Sequence, residues 1–274
     1  MSYIDSNETI KALTISSLHK MYQAGEKITS LTAYDASFAT MFDQIGIDII
    51  LVGDSLGNVI QGHTSTIPVL IQDMVYHTSC VSRNIKRSFL MADMPFASYA
   101  DQSQALMNAA LLMQAGAKMI KLEGGAWLAP IVEHLVRQGI PVCAHLGLMP
   151  QSVNTLGGFK VQGKSEAQSE LMINEAKILE NAGAQILVLE AIPSKLGKAI
   201  TEAISIPTIG IGAGVDCSGQ VLVMHDALGA FPGRQPKFVK NFLANTGTIE
   251  KAIELYIAEV KSGAFPAPEH CFTN

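Results

Sequence analysis

One recurring unit constrains the fold of this chain more than any other feature: a glycine, an apolar run and a final acidic residue. LMQAGAKMIKLE (112–123) and LENAGAQILVLE (179–190) both place the glycine seven residues before the glutamate, and DQIGIDIILVGD (43–54) is a looser version. Glycine just past a helix suits the left-handed position that ends it. Each unit therefore predicts a helix that stops at a glycine and leads into a buried strand.

Eight such strands are predicted, near 27–34, 48–54, 88–94, 117–123, 140–146, 184–190, 206–211 and 220–225. Helices are predicted near 14–25, 36–45, 68–85, 101–115, 127–138, 165–182, 194–204 and 248–262. Because the strands are apolar on both faces, they indicate a parallel sheet covered by helices. Eight strand–helix units favour a closed (β/α)8 TIM barrel with an extra N-terminal helix. An open doubly wound sheet is the alternative. No composition break marks a second domain, so residues 1–274 are predicted to form a single barrel domain.

The composition limits the partners and the location of the chain. Charged residues are only 16% of the sequence, which predicts an apolar part of the outer surface and hence a homo-oligomer. The net charge of −5 argues against nucleic-acid binding. No long apolar stretch and no secretory signal are visible, so we expect a cytoplasmic protein with no membrane contact. The four cysteines are far apart and are expected to be reduced and structural.

Polar residues collect where the predicted strands end. These residues are Asp54, Ser55, Asp93, Lys121, Glu123, His145 and Glu190. In a parallel barrel the carboxyl ends of the strands open at one mouth, where the active-site loops lie. Two long connections, 54–67 and 146–165, follow strands at that same end. The sequence therefore predicts that these side chains converge on a single site.

Three of these residues are carboxylates on neighbouring strands: Asp54, Asp93 and Glu123. Together they would repel one another unless a cation lay between them. Ligands that are all oxygen suit a hard divalent ion, and Mg²⁺ keeps positions for water or substrate. The alternative is that one or more of them caps a following helix. For any single residue the two interpretations are comparable, and for the set we favour the metal.

Each of the remaining candidates has a functional and a structural interpretation. Lys121 either pairs with Glu123 or anchors an anionic substrate. Glu190 ends a strand that carries no other charge, so its pKa is expected to be raised, as suits a general base; hydrogen bonding to nearby backbone is the alternative. His145 could be a base, a proton shuttle or a structural histidine. Taken together, a metal, an anion anchor and a base fit proton abstraction next to a carbonyl.

A long series of segments identifies the chain as similar to a known family. The segments include VGDSLGNVIQGHTSTIPV, MADMPFASY, KLEGG, PVCAHLGLMPQSVN, GGFKVQG and PTIGIGAG. In this order, over about residues 14–270, they closely resemble the ketopantoate hydroxymethyltransferases. The resemblance implies a barrel of the phosphoenolpyruvate/pyruvate-binding type that assembles as a decamer. One position departs from the expected pattern, because Asn58 stands where an apolar residue is usual.

The resemblance also implies a reaction and its residues. The hydroxymethyl group of 5,10-methylenetetrahydrofolate would pass to 3-methyl-2-oxobutanoate, giving 2-dehydropantoate in pantothenate biosynthesis through a metal-stabilised enolate. One Mg²⁺ per subunit would lie at Asp54, Asp93 and Glu123, with the two aspartates as the more direct ligands. Ser55, Asp93, Lys121 and His145 would contact the substrate, and Glu190 would be the catalytic base. The alternatives are a related lyase or mutase barrel acting on a phosphoenolpyruvate- or oxaloacetate-like acid, and a non-catalytic binding protein on the same fold.

Overall fold

Eight parallel strands close a barrel in chain order in the computed structural model, which describes residues 11–231, 233 and 235–273. The strands are β1 (Ile28–Thr32), β2 (Ile49–Val52), β3 (Phe89–Asp93), β4 (Met119–Glu123), β5 (Val142–Gly147), β6 (Ile186–Glu190), β7 (Thr208–Ile211) and β8 (Gly219–Leu222). The predicted (β/α)8 barrel is confirmed, and the open sheet is excluded because β1 pairs with β8. The first ten residues, for which no targeting signal was predicted, lie outside the described part of the chain.

Helices surround the barrel as predicted, with short extra ones near its carboxyl end. They are α1 (Ile15–Gln23), α2 (Ala36–Ile45), α3 (Leu56–Val59), α4 (Ile71–Ser82), α5 (Gln102–Gln114), α6 (Ala129–Arg137), α7 (Val153–Leu156), α8 (Glu166–Asn181), α9 (Ser194–Ala203), α10 (Met224–Ala227) and α11 (Ile249–Ser262). Both long connections carry a short helix, α3 or α7, that the sequence did not predict. None of the helices in the described ranges is long and apolar enough to cross a membrane.

Two predicted boundaries were wrong. The last strand was predicted to reach residue 225, but it ends at Leu222, and α10 begins at Met224. The backbone N–H of Met224 donates to Thr32 Oγ1 at 2.9 Å, which turns the chain inward instead of extending the strand. The predicted helix over 68–85 is shorter and begins at Ile71, where the Asp73 side chain accepts a hydrogen bond from the Leu70 N–H.

Alternating side chains divide the interior into two apolar regions. On β2, for example, Ile50 and Val52 pack toward the helices, whereas Ile49 and Leu51 belong to a cluster inside the barrel. Leu18 of α1 joins that inner cluster and is fully buried, so the predicted N-terminal helix contributes to the core of the barrel. With its interior filled, the barrel leaves its functional groups to the strand ends.

Candidate active site

All seven side chains predicted from the strand ends line one cavity of about 830 Å³ at the carboxyl end of the barrel. The register of the sheet explains their convergence. Asp93 on β3 lies beside Lys121 on β4, Glu123 lies beside His145 on β5, and Gly147 lies beside Glu190 on β6. Five of the seven residues lie on the strands themselves, and Asp54 and Ser55 lie just after β2, so the pairing of neighbouring strands brings most of them together.

Lys121 is an ion-pair partner of two carboxylates. Its Nζ lies 3.0 Å from Asp93 Oδ1 and 3.6 Å from Glu123 Oε1. Burial opposes the charged form of Lys121, but Asp93, Glu123 and Asp54 outweigh burial and raise its pKa well above the usual value. Lys121 does pair with Glu123, as one of its two interpretations had it, but the closer partner is Asp93.

The two aspartates do not cap helices. Asp54 donates its backbone N–H to Asp93 Oδ2 at 3.0 Å, and α3 begins after Ser55 without a side-chain cap. Burial and then the charge of Glu123 raise the pKa of Asp54 well above its usual range. Burial also raises the pKa of Asp93, even though Lys121 partly offsets it. Such shifts describe carboxylates that are short of positive charge.

Two residues that sequence reasoning missed, Gln151 and Tyr99, brace this cluster. Gln151 Nε2 donates to Asp54 Oδ2 at 2.8 Å, and its backbone N–H donates to Glu123 Oε2 at 3.1 Å. The Tyr99 hydroxyl lies 2.5 Å from Gln151 Oε1 and accepts a hydrogen bond from the Glu123 N–H. Gln151 lies in a 3-10 helix of three residues, Pro150–Ser152, and Tyr99 lies in a turn, and neither element is long enough to show a hydrophobic periodicity. The sequence pointed to Gln151 only through the segment PVCAHLGLMPQSVN, one of those that carry the resemblance to the family.

His145 lies between two glutamates. Its Nδ1 is 3.4 Å from Glu123 Oε1, and its Nε2 is 3.5 Å from Glu190 Oε2. Burial opposes ionisation of Glu123, but His145 and Lys121 hold its pKa below the usual value. The side chain of His145 is buried, and Nε2 has no hydrogen-bond partner within the described ranges. This histidine is therefore part of the polar cluster and not a remote core residue.

Glu190 is a further carboxylate of the cavity with a shifted pKa. Burial, and then the negative charge of Glu123, raise its pKa to about 8, although Lys121 opposes the shift. No backbone or side-chain donor in the described residues makes a hydrogen bond to this carboxylate, so the alternative of backbone hydrogen bonding is not supported. A glutamate of this kind exchanges a proton near neutral pH, as a general base or acid must.

Comparison with known proteins decides the family. A family model described as ketopantoate hydroxymethyltransferase matches residues 12–268. The chain belongs to the ketopantoate hydroxymethyltransferase family. It is 62% identical over 260 residues to the 3-methyl-2-oxobutanoate hydroxymethyltransferase of Colwellia psychrerythraea, covering 95% of this chain and 98% of the relative. The corresponding protein of Shewanella loihica is 61% identical, covering 95% and 99%. The prediction that the chain is a transferase is thereby confirmed.

Solved structures share the barrel fold of this ketopantoate hydroxymethyltransferase family member. A phosphonopyruvate hydrolase in complex with oxalate and Mg²⁺ has a TM-score of 0.61 at 12% identity, covering 80% of this chain and 84% of the other. A 2,3-dimethylmalate lyase of the PEP mutase/isocitrate lyase superfamily has a TM-score of 0.59 at 16% identity, with coverage of 80% and 84%. At these identities the likeness shows the fold alone.

The predicted metal ligation by Asp54, Asp93 and Glu123 stays a prediction, and these three carboxylates of the family member line the same cavity. No group of three His, Cys, Asp or Glu side chains within the described ranges is arranged to hold an ion. Both carboxylate oxygens of Glu123 face other groups, namely Lys121, His145 and the Gln151 N–H. Asp93 Oδ1 also faces Lys121 Nζ, at 3.0 Å, but is buried without an aligned hydrogen bond. Mg²⁺ is commonly held by one or two carboxylates plus substrate oxygens and water, so Asp54 and Asp93 fit it.

Aromatic side chains line another part of the cavity, which the sequence did not reveal. Three segments of the chain supply four phenylalanines: Phe159, Phe231, Phe238 and Phe272. Asn58, the residue that departs from the family pattern, donates from Nδ2 to the His63 carbonyl oxygen at 3.0 Å and so ties the loop after β2 to itself. The polar amide at this position therefore has a hydrogen-bonding role in the loop.

Proposed function

We propose that the chain transfers the hydroxymethyl unit of 5,10-methylenetetrahydrofolate to 3-methyl-2-oxobutanoate, giving 2-dehydropantoate and tetrahydrofolate in pantothenate biosynthesis. The names of its relatives support this keto acid. The observation that carries the proposal is a raised-pKa glutamate, Glu190, in the same cavity as a buried lysine and two aspartates. We further propose that the chain is a single barrel domain and acts as a cytoplasmic homo-oligomer, with a decamer as the expected form.

The keto acid would bind with its charged end toward Lys121 and Ser55. The buried Nζ of Lys121 supplies a positive charge, and Ser55 Oγ is held 2.8 Å from the hydroxyl of Tyr34. Asp54 and Asp93 would hold Mg²⁺, which when bound draws electron density from the 2-oxo group and acidifies the hydrogen at C3. Glu123 would stay beside these groups as a neighbouring charge, oriented by Gln151.

Glu190 would remove the C3 proton. The electrons of the C–H bond then move toward C2, and the negative charge is shared with the 2-oxo oxygen beside Lys121. The new carbon nucleophile attacks the methylene carbon of the folate in its iminium form, and a C–C bond forms. Water adds the hydroxyl group as the C–N bond to the carrier breaks, so that the carrier leaves as tetrahydrofolate. His145 would help to set the position of the Glu190 carboxylate.

Replacing Glu190 by glutamine tests this assignment. In heavy water the enzyme should exchange the C3 hydrogen of the keto acid for deuterium without any folate, and Glu190→Gln should slow this exchange about 10²–10⁴-fold. Because a base acts only when ionised, the wild-type rate should rise with pH through about 8, the pKa of Glu190, and should level off above it. Nuclear magnetic resonance of the keto acid measures the exchange directly.

Glu202→Gln is the matched control, since it removes the same charge from an exposed position on α9, the helix that follows β6. It should leave the rate and the pH profile unchanged. Normal exchange in Glu190→Gln, with keto-acid binding retained, would remove Glu190 from the role of base. Wild-type enzyme that exchanges the hydrogen but makes no product with folate would instead refute the one-carbon donor.

A further inference from the structure

The cavity is divided into a charged side and an apolar side. Its volume of about 830 Å³ lies in the upper part of the range for sites of drug-sized ligands, about 300–1,000 Å³. The lysine, histidine and carboxylates come from β2 to β6, and a small branched keto acid bound there leaves most of the space free. Much of the remaining lining comes from β7, β8 and the segments after them: apolar Ile211, Val221, Leu222, Phe238 and Phe272, together with Lys237, whose Nζ lies 5.6 Å from the Phe272 ring centroid.

Two aromatic rings form the wall next to β7. Phe238 and Phe272 meet edge to face, with their ring centroids 6.4 Å apart. Both rest on Gly212 at the end of β7, where a built Cβ would come within 2.8 Å of Phe238 and 3.0 Å of Phe272. Glycine therefore lets the rings approach the strand end, and both rings remain partly exposed. A wall of this kind suits a flat aromatic or heteroaromatic ligand.

One carboxylate faces this apolar side. Asp226 on α10 lines the cavity, and no side chain or backbone group of the described residues donates a hydrogen bond to its carboxylate. Burial raises the pKa of Asp226 to about 6, so the group is mostly ionised near neutral pH, and no donor among the described residues reaches it. A carboxylate in such a place is matched by a ligand that brings two N–H donors side by side.

We infer that Asp226, with Phe238 and Phe272, binds the pterin ring of the one-carbon carrier, an inference that rests on the proposed function. The aminopyrimidinone edge of a pterin presents a ring N–H and an amino group next to each other, and its flat rings would lie against the phenylalanines. Asp226 follows β8 and Glu190 ends β6, so about two strand spacings, roughly 9–10 Å, separate their strands. A pterin held at Asp226 would extend across β7 and bring its methylene carbon toward the site where Glu190 acts.

Asp226→Asn tests the inference, because the amide replaces one acceptor oxygen with a donor. The KM for 5,10-methylenetetrahydrofolate should rise about 10–100-fold, while the KM for the keto acid changes much less. Two fragments locate the effect. Inhibition by tetrahydropterin should weaken by a similar factor in the variant, whereas inhibition by 4-aminobenzoylglutamate, the other half of the carrier, should not. Phe272→Leu should likewise weaken inhibition by tetrahydropterin and leave inhibition by 4-aminobenzoylglutamate unchanged.

Asp216→Asn is the matched control, since it removes the same charge from an exposed turn after β7. Thermal unfolding reports whether each variant is folded. Folate-independent exchange at C3 reports whether its keto-acid site is intact. An unchanged folate KM in Asp226→Asn overturns the inference, and so does an equal rise in the KM values for folate and keto acid. In either case, folate-dependent turnover by the wild type leaves the proposed function standing. If the wild type makes no folate-dependent product, both the proposed function and this inference fail.

Discussion

A single glutamine fixes the relative positions of the two proposed metal ligands and their neighbours. Gln151 Nε2 donates to Asp54 Oδ2 and also to the Met94 carbonyl oxygen, at 2.8 and 2.9 Å. Since the Tyr99 hydroxyl lies 2.5 Å from Oε1, the amide is held with its oxygen toward Tyr99 and its NH₂ toward two acceptors. Groups that orient a metal ligand in this way affect metal affinity although they never touch the ion.

Gln151→Met should therefore weaken Mg²⁺ binding. The substitution keeps the length of the side chain but leaves Asp54 Oδ2 and the Met94 carbonyl without their donor, so we expect the Mg²⁺ concentration for half-maximal activity to rise about 10–100-fold. The stabilisation of the protein by Mg²⁺ in thermal unfolding should shift to higher Mg²⁺ by the same factor, which gives a readout independent of turnover.

Gln162→Met is the control for this change. Gln162 lies in the same long loop, and its Nε2 donates to the Lys160 carbonyl oxygen away from the aspartates. It should leave the Mg²⁺ dependence as in the wild type. A folded Gln151→Met enzyme with an unchanged Mg²⁺ requirement would show that the brace has no influence on the metal.

At the scale of elements, the sequence predicted strands well and loop contacts poorly. The glycine, apolar run and acid of LENAGAQILVLE predicted α8, β6 and the place of Glu190 together, because a local pattern encodes all three. Gln151 could not be predicted in the same way, since it contacts Asp54 across 97 residues of sequence. Asp226 lies on a four-residue helix where the end of a strand was predicted. A helix this short has no hydrophobic periodicity from which Asp226 could have been predicted.

A buried aspartate joins α2 to the start of β3 at the opposite end of the barrel from the site. Asp43 Oδ1 accepts from the backbone N–H groups of Arg87 and Ser88 at 2.9 and 2.6 Å, and Oδ2 accepts from Lys86 at 2.8 Å. Burial opposes the charged form, but these hydrogen bonds outweigh it and lower the pKa of Asp43. The carboxylate thus satisfies three donors that precede a strand.

Asp43→Asn should lower the free energy of unfolding by about 1.5–3 kcal/mol near neutral pH, because the amide cannot accept all three bonds. A lowered pKa means that the stabilisation is fully present above the pKa of an unfolded aspartate, about 3.9, and is lost as the pH falls through the folded pKa. The difference between variant and wild type should therefore shrink in acid. Urea unfolding at about pH 7 and about pH 3 measures both values.

Asp35→Asn provides the comparison. Asp35 caps the same helix through bonds to the Ser37 and Phe38 N–H groups, and asparagine is an equally good cap. This variant removes the same charge and should lower the free energy of unfolding only slightly at either pH. A loss of stability in Asp43→Asn that stays constant down to acid pH would show that its cause is packing and not the ionised carboxylate.

On the scale of the whole molecule, apolar side chains remain exposed on the outer face of α4 and α5. Tyr76 on α4 is 66% exposed, and Met107 and Leu111, one helical turn apart on α5, are 62% and 42% exposed. The two helices pack side by side. Large exposed apolar side chains on the outside of a barrel are compatible with the proposed homo-oligomer, in which another copy would cover them. This surface agrees with the low charge content of the sequence.

Placing charge on this face should therefore disrupt assembly. We expect the wild type to elute as a multiple of the monomer mass, and a Tyr76→Glu, Met107→Glu double variant to shift to a smaller species in light scattering, because a carboxylate at each position would be buried without a partner. Asn245→Glu, on the exposed segment before α11, adds charge to the part of the helical ring that follows β8 and should keep the wild-type mass. A wild-type monomer, or a double variant that retains the wild-type mass, would show that α4 and α5 do not form the interface.

The barrel of the double variant should stay folded, since both side chains lie on its outer surface. C3 exchange by the smaller species would then show whether one subunit holds a complete keto-acid site.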